Sequence, residues 1–124
     1  MRTNNKTLAI TISGLWNAMN IGKNVIRILG KPEYITIAVN KKRDSIIICP
    51  GKYSDLVSYK VPDELYTDNH KIMRVNSKGF SENMLSINNL DSSSTYSIYG
   101  EHIAEKNCVR FDFCNAFENR MNRE

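Results

Sequence analysis

The strongest constraint on this chain is a pattern that its sequence runs through twice. Over residues 22–29, Val25, Ile26, Ile28 and Leu29 give a short helix its apolar side, with Val25 and Leu29 stacked at i, i+4 while Lys23 and Arg27 point elsewhere. Gly30 is placed to take the left-handed conformation that closes a helix, and Pro32 cannot extend one. In Tyr34–Val39, Ile35, Ile37 and Val39 then alternate with Tyr34, Thr36 and Ala38, the period of a half-buried strand. Residues 45–49 are the hairpin partner, across a polar turn of Asn40, Lys41, Lys42, Arg43 and Asp44.

The same character returns further along. Phe80–Ile87 reproduces residues 21–28 position by position at a constant offset of 59, and Ser81 is the expected N-cap of this second helix. Residues 95–99 match 34–38, and residues 109–113, with Val109, Phe111 and Phe113 alternating against Arg110 and Asp112, match 45–49. Each helix is preceded by a strand-like run, at 7–13 (Leu8, Ile10 and Ile12 on one face) and at 71–75. A unit of roughly 45 residues buries too little surface to be stable alone, so the two must share a core. The expectation is a mostly β chain with two short helices (α+β), built from duplicated β-α-β-β units: repeat 1 over 7–50, a connection over 51–70 with one short strand at 57–61, and repeat 2 over 71–114. Residues 1–6 are expected to fray. Trp16, the only tryptophan, is expected to anchor its strand to the core.

At 124 residues with 41% hydrophobic and 24% charged side chains, the composition is that of one ordinary globular domain. No apolar run is long enough for a membrane span, and the N-terminus lacks the apolar core of a secretory signal, so a cytoplasmic protein is expected. Cys49, Cys108 and Cys114 are odd in number and irregular in spacing, which suits small buried hydrophobes better than metal ligands or disulfides. With His70 and His102 in polar surroundings, no metal site and no cofactor are expected. Both histidines read as solvated loop residues, and no nucleophile–base set or phosphate-cradling glycine run is present, so no catalytic residues are assigned and the chain is not expected to be an enzyme. The net charge of +4 is unevenly spread. Residues 1–60 carry ten cations against three acids, a net +7, which leaves −3 for the remainder; the first half suits a polyanion and the second does not.

The helix-and-hairpin stretch resembles the swapped-hairpin β-barrel proteins of the AbrB, MazE and SpoVT type, bacterial transcription regulators and antitoxins. The residues that carry the resemblance are Ile21-Gly22 before the helix, Val25 to Leu29-Gly30, the alternation of Tyr34–Val39, and Ile46-Ile47-Ile48. It covers residues 7–50 well and 71–114 more faintly. In that family two chains interleave into one barrel, so the resemblance implies that a chain with two copies forms a pseudo-dimer by itself, or a homodimer of such chains. The family's pre-helical proline is replaced by Gly22 and Ser81, its pre-helical arginine by Ala18 and Ser77, and of its paired helical arginines only Arg27 remains.

Two functions follow as expectations. The first is a DNA-binding transcription regulator of AbrB or antitoxin type, from a mobile element or a toxin-antitoxin-like operon, in which Lys23, Arg27, Lys41, Lys42 and Arg43 contact phosphates of double-stranded DNA while Asn20 and Asn24, with Asn17, offer hydrogen bonds to base edges. The second is a protein-binding inhibitor or interaction module, antitoxin-like or of the phage-encoded anti-defence or anti-CRISPR kind, gripping a partner through Tyr53, Tyr59, Tyr66 and Tyr99.

Overall fold

The computed structural model describes residues 3–51, 58–67, 72–76 and 79–118. They form nine antiparallel strands in one sheet: β1 (Thr3–Ser13), β2 (Ala18–Gly22), β3 (Tyr34–Val39), β4 (Ser45–Pro50), β5 (Ser58–Lys60), β6 (Ile72–Asn76), β7 (Thr95–Ile103), β8 (Cys108–Asp112) and β9 (Phe117–Glu118). Helix α1 (Lys23–Ile28) joins β2 to β3, α2 (Glu64–Thr67) lies between β5 and β6, and α3 (Phe80–Ile87) follows β6. The sheet order is β5-β3-β4-β8-β7-β1-β2-β6, with β9 added to β7, and the sheet curls into a half-barrel.

The two hairpins meet each other through their second strands. Strand β4 pairs with β8 so that Ile46 faces Phe111 and Ile48 faces Val109, four side chains with no solvent exposure. The strand directly before α1 is β2, not the expected run over 7–13, and it pairs with β6, the strand before α3, placing Met19 opposite Val75 and Ile21 opposite Met73. These inward residues join Leu8, Ile10 and Ile12 of β1, Ile98 of β7, and Val25, Ile26, Met84 and Leu85 of the helices in one apolar core. Alternation of β-branched residues puts one face of each strand in that core and leaves the other for Thr, Arg and Lys.

Both helices stop in the same way. After α1, the Gly30 N–H donates to the Arg27 carbonyl and the Lys31 N–H to that of Ile26; after α3, the Asn89 N–H donates to Ser86 and the Leu90 N–H to Leu85. This is the Schellman pattern, and every donor and acceptor in the second set lies 59 residues beyond its counterpart. Gly30 (φ 94°) and Asn89 (φ 62°) occupy the left-handed position that the pattern requires.

Several expectations need correction. Strand β1 begins at Thr3, so residues 3–6, expected to fray, are strand backbone paired at Thr3 and Asn4 with His102 and Glu101. The connection over 51–70 carries α2, which its mixed composition did not announce. Gly79 (φ 83°), not Ser81, caps α3; Ser81 is fully buried inside the helix and its hydroxyl donates to the Ala18 carbonyl at 3.3 Å. Strand β8 starts at Cys108, and the buried positions of β4 and β8 align at an offset of 63 rather than 64, Ile46 with Val109 and Ile48 with Phe111. Phe113 has left the strand for a short 3-10 turn, yet stays buried. Of the cysteines, Cys108 is buried, Cys49 half-buried and Cys114 exposed. His102 is a half-buried residue of β7 rather than a loop residue, and its Nε2 is buried without a hydrogen-bond partner. His70, Tyr53 and Ser77 lie outside the described residues.

Candidate nucleic-acid interface

Strand directions sort the expected contact residues to two ends of the sheet. Strands β1, β3, β6 and β8 run toward one end, and β2, β4 and β7 run away from it. That end therefore collects the β3–β4 turn with Lys41, Lys42 and Arg43, the β1–β2 turn over 14–17, and the segment from α3 to β7. The opposite end holds α1 with Lys23, Asn24 and Arg27, together with the β7–β8 turn. The seven expected contact residues thus do not form one cluster. Asn20 belongs to neither group: it sits mid-strand in β2 between Thr11 and Arg74, half-buried, with its Oδ1 buried and unpartnered.

The β3–β4 turn is built to display its three cations. Asn40 closes it from within, its Oδ1 accepting the N–H groups of Asp44 and Ser45, each at 3.0 Å, and its Nδ2 donating to Asp44 Oδ1 at 2.6 Å. The Arg43 N–H donates to the Asn40 carbonyl at 3.0 Å, and Arg43 takes a left-handed φ of 59°. From outside the turn, the Asn88 side-chain amide at the end of α3 donates to the Arg43 carbonyl at 3.0 Å and to the Met84 carbonyl at 2.8 Å. Lys41, Lys42 and Arg43 are all exposed, and none forms an ion pair among the described residues. The hydrogen bond from Asn40 holds the Asp44 carboxyl below its ordinary value, with its own backbone N–H, Lys42 and Arg110 adding to the effect.

The β1–β2 turn presents a different chemistry. Leu15 and Trp16 are 61% and 68% exposed. Trp16 is therefore not the core anchor that its size suggested. The turn carrying these two side chains is clamped from below. Ser13 Oγ accepts the Trp16 N–H at 3.0 Å and the Thr95 hydroxyl at 2.9 Å, while the Gly14 N–H donates to the Ser94 carbonyl at 3.1 Å. Gly14 lies so close to the next segment that a Cβ there would meet the Ser92 carbonyl oxygen at 1.7 Å. Asn17 completes the turn with a left-handed φ of 51° and a buried, unpartnered Oδ1. The sequence did carry a signal for this: Gly14 and Asn17 are the residue types that turns use, and they bracket Leu15 and Trp16.

Toward the opposite end, a cleft of 560 Å³ is lined by Glu101, His102, Ile103, Ala104, Glu105, Arg110 and Asp112. Its one guanidinium is engaged: Arg110 Nε donates to Asp112 Oδ1 at 2.9 Å, which holds the arginine more firmly protonated, and the Ser45 hydroxyl donates to the same carboxylate. Glu101 and Glu105 make the remainder acidic, a poor seat for phosphate. No protein-family model, curated protein or solved structure matches this chain.

Proposed function

We propose that this chain is a DNA-binding transcription regulator of the AbrB or antitoxin type, acting in the cytoplasm as a single-chain pseudo-dimer and engaging duplex DNA through the β3–β4 turn. The observation that carries the reading is the display of Lys41, Lys42 and Arg43 on a turn closed by Asn40 and braced by Asn88, none of the three in an ion pair among the described residues. Exposed cations on such a turn gain by displacing counterions from a phosphate backbone. The pairing of β2 with β6 and β4 with β8, and the matching helix ends 59 residues apart, support a duplicated origin of the swapped-hairpin kind. On this reading the first-half arginine and lysine of α1 serve a separate surface.

The experiment is fluorescence anisotropy of the protein against labelled duplexes, its own upstream region included, at low and near-physiological salt. The expected result is binding with a steep salt slope, and a Lys41→Glu/Lys42→Glu/Arg43→Glu variant with a slope shallower by about three. Absence of binding at low salt overturns the reading.

A second reading, a protein-binding inhibitor, is favoured by the exposed aromatic pair of Tyr99 and Phe117, whose ring centroids lie 5.5 Å apart, and by exposed Tyr59. Tyr66 does not contribute, since it is half-buried and its hydroxyl donates to the Pro32 carbonyl at 2.8 Å. Capture of a defined partner that Tyr99→Ala abolishes, with no DNA binding, is the result that selects this alternative.

A further inference from the structure

We infer that the Leu15–Trp16 turn is an apolar wedge that enters a base step of the bound duplex, with Leu15 prising the step apart and Trp16 stacking on an exposed base. The inference rests on the DNA-binding reading above and adds how the duplex is deformed and which sequences are favoured.

Three observations carry it. First, two large apolar side chains stand adjacent in sequence and mostly in water, where each forgoes the gain of burial. Second, they are held out rigidly. Ser13 fixes the Trp16 backbone, Gly14 is seated against Ser92 and bonded to Ser94, and Asn17 turns the chain back, so little ordering remains to be done on binding. Third, the wedge and the cationic turn share one end of the sheet, linked through a continuous segment: Asn88 holds the Arg43 carbonyl at the segment's start, and Ser92 and Ser94 hold Gly14 at its end. Cations at the same end of a protein as a protruding apolar pair are the combination by which minor-groove proteins grip phosphates and unstack a step. The one carboxylate in the middle of that segment, Asp91, is turned onto its own loop, accepting from the Ser93 N–H and hydroxyl and from the Ser94 hydroxyl.

A wedge is cheapest at pyrimidine–purine steps, which unstack readily, so the protein should prefer sites with such a step at the contact, and should bend them.

Because Trp16 is the only tryptophan, its emission reports on this turn alone. The test titrates the protein with a short duplex while following both tryptophan emission and the anisotropy of a label on the DNA, in parallel with Trp16→Ala and Leu15→Ala variants. The expected result is quenching of Trp16 in step with binding, a duplex bend seen as a change in end-to-end energy transfer, and a loss of affinity of about tenfold in Trp16→Ala with an unchanged salt slope. Both substitutions are at exposed positions, and circular dichroism confirms that the variants fold. Binding with an unquenched Trp16 and an unchanged Trp16→Ala affinity overturns the wedge while leaving the DNA reading intact. No binding at low salt overturns both. A blue shift of Trp16 with rising protein concentration, or on adding anionic vesicles, in place of the DNA response also overturns the wedge, assigning the turn to self-association or to a lipid surface.

Discussion

The side-chain amide of Asn88 donates to the main-chain carbonyl of Arg43 at 3.0 Å, so that the end of α3 braces the tip of a hairpin 45 residues earlier in the chain. The same amide group donates to Met84 in its own helix at 2.8 Å, which fixes its rotamer. Replacing Asn88 with Ala removes both bonds, at a cost of about 1–2 kcal/mol in urea denaturation. It should also speed hydrogen exchange in the β3–β4 turn and weaken DNA binding without changing the salt slope, since no cation is removed. A slope change would show instead that Asn88 orients the cations one by one.

Gly14 has no room for a side chain. With the Ser92 carbonyl oxygen 1.7 Å from the position of a Cβ, Gly14→Ala must push apart two segments that the Gly14 to Ser94 hydrogen bond draws together. The expected cost is at least about 2 kcal/mol, the scale of overpacking in a tight site. Ala at the exposed Leu15 should cost under about 0.5 kcal/mol, and the two variants measured side by side separate crowding from any general fragility of the turn.

The regular part of this fold was legible because its signals are local. Alternation marked Tyr34–Val39 with correct bounds, the likeness of residues 80–87 to 21–28 marked the second helix but with its start misplaced at Ser81, and Gly30 marked a helix end. Ser81 shows where local reading stops. A serine at a helix start resembles an N-cap, but here a tertiary contact with Ala18 has drawn it inside, and Gly79 takes the terminal position. Trp16 failed for the opposite reason, because size argued for burial while the turn residues on either side argued for exposure, and backbone geometry won. The division of cations between two ends of the sheet was invisible in one dimension. Lys23 and Lys41 are near in sequence, yet the direction of β3 carries Lys41 to the end opposite α1.

The contact that displaced the expected cap can be tested directly. Ser81 has no solvent exposure, and its hydroxyl donates to the Ala18 carbonyl of β2 at 3.3 Å, tying α3 to the core strand. Ser81→Ala should cost about 1 kcal/mol through the lost bond and the carbonyl left behind. If Ser81 acted instead as a cap, Ser81→Asp would be tolerated, since aspartate caps as well as serine. At a buried position it should be far more damaging than alanine, and thermal unfolding of the two variants decides between these roles.

Two exposed carboxylates should set the acid limit of this end of the molecule. Asp44 is held below its ordinary value of 3.8 chiefly by the Asn40 amide, and Asp91 chiefly by the Ser93 hydroxyl, with the Ser93 N–H and the Ser94 hydroxyl adding. A carboxyl whose folded pKa is depressed contributes stability that is fully present above the unfolded value and is lost as pH falls through the folded one. Both turns should therefore keep their bonds at neutral pH and loosen only below about pH 4, as protonation turns each carboxylate from acceptor to partial donor. Carbon-detected NMR titration of the Asp44 and Asp91 side chains should give midpoints below 3.8 for both. Asn40→Ala should raise the Asp44 midpoint toward its ordinary value and leave Asp91 unmoved; a shift of Asp91 as well would mean that the cationic turn and the segment carrying Ser92 and Ser94 respond as one unit, as their link through Asn88 and Arg43 allows.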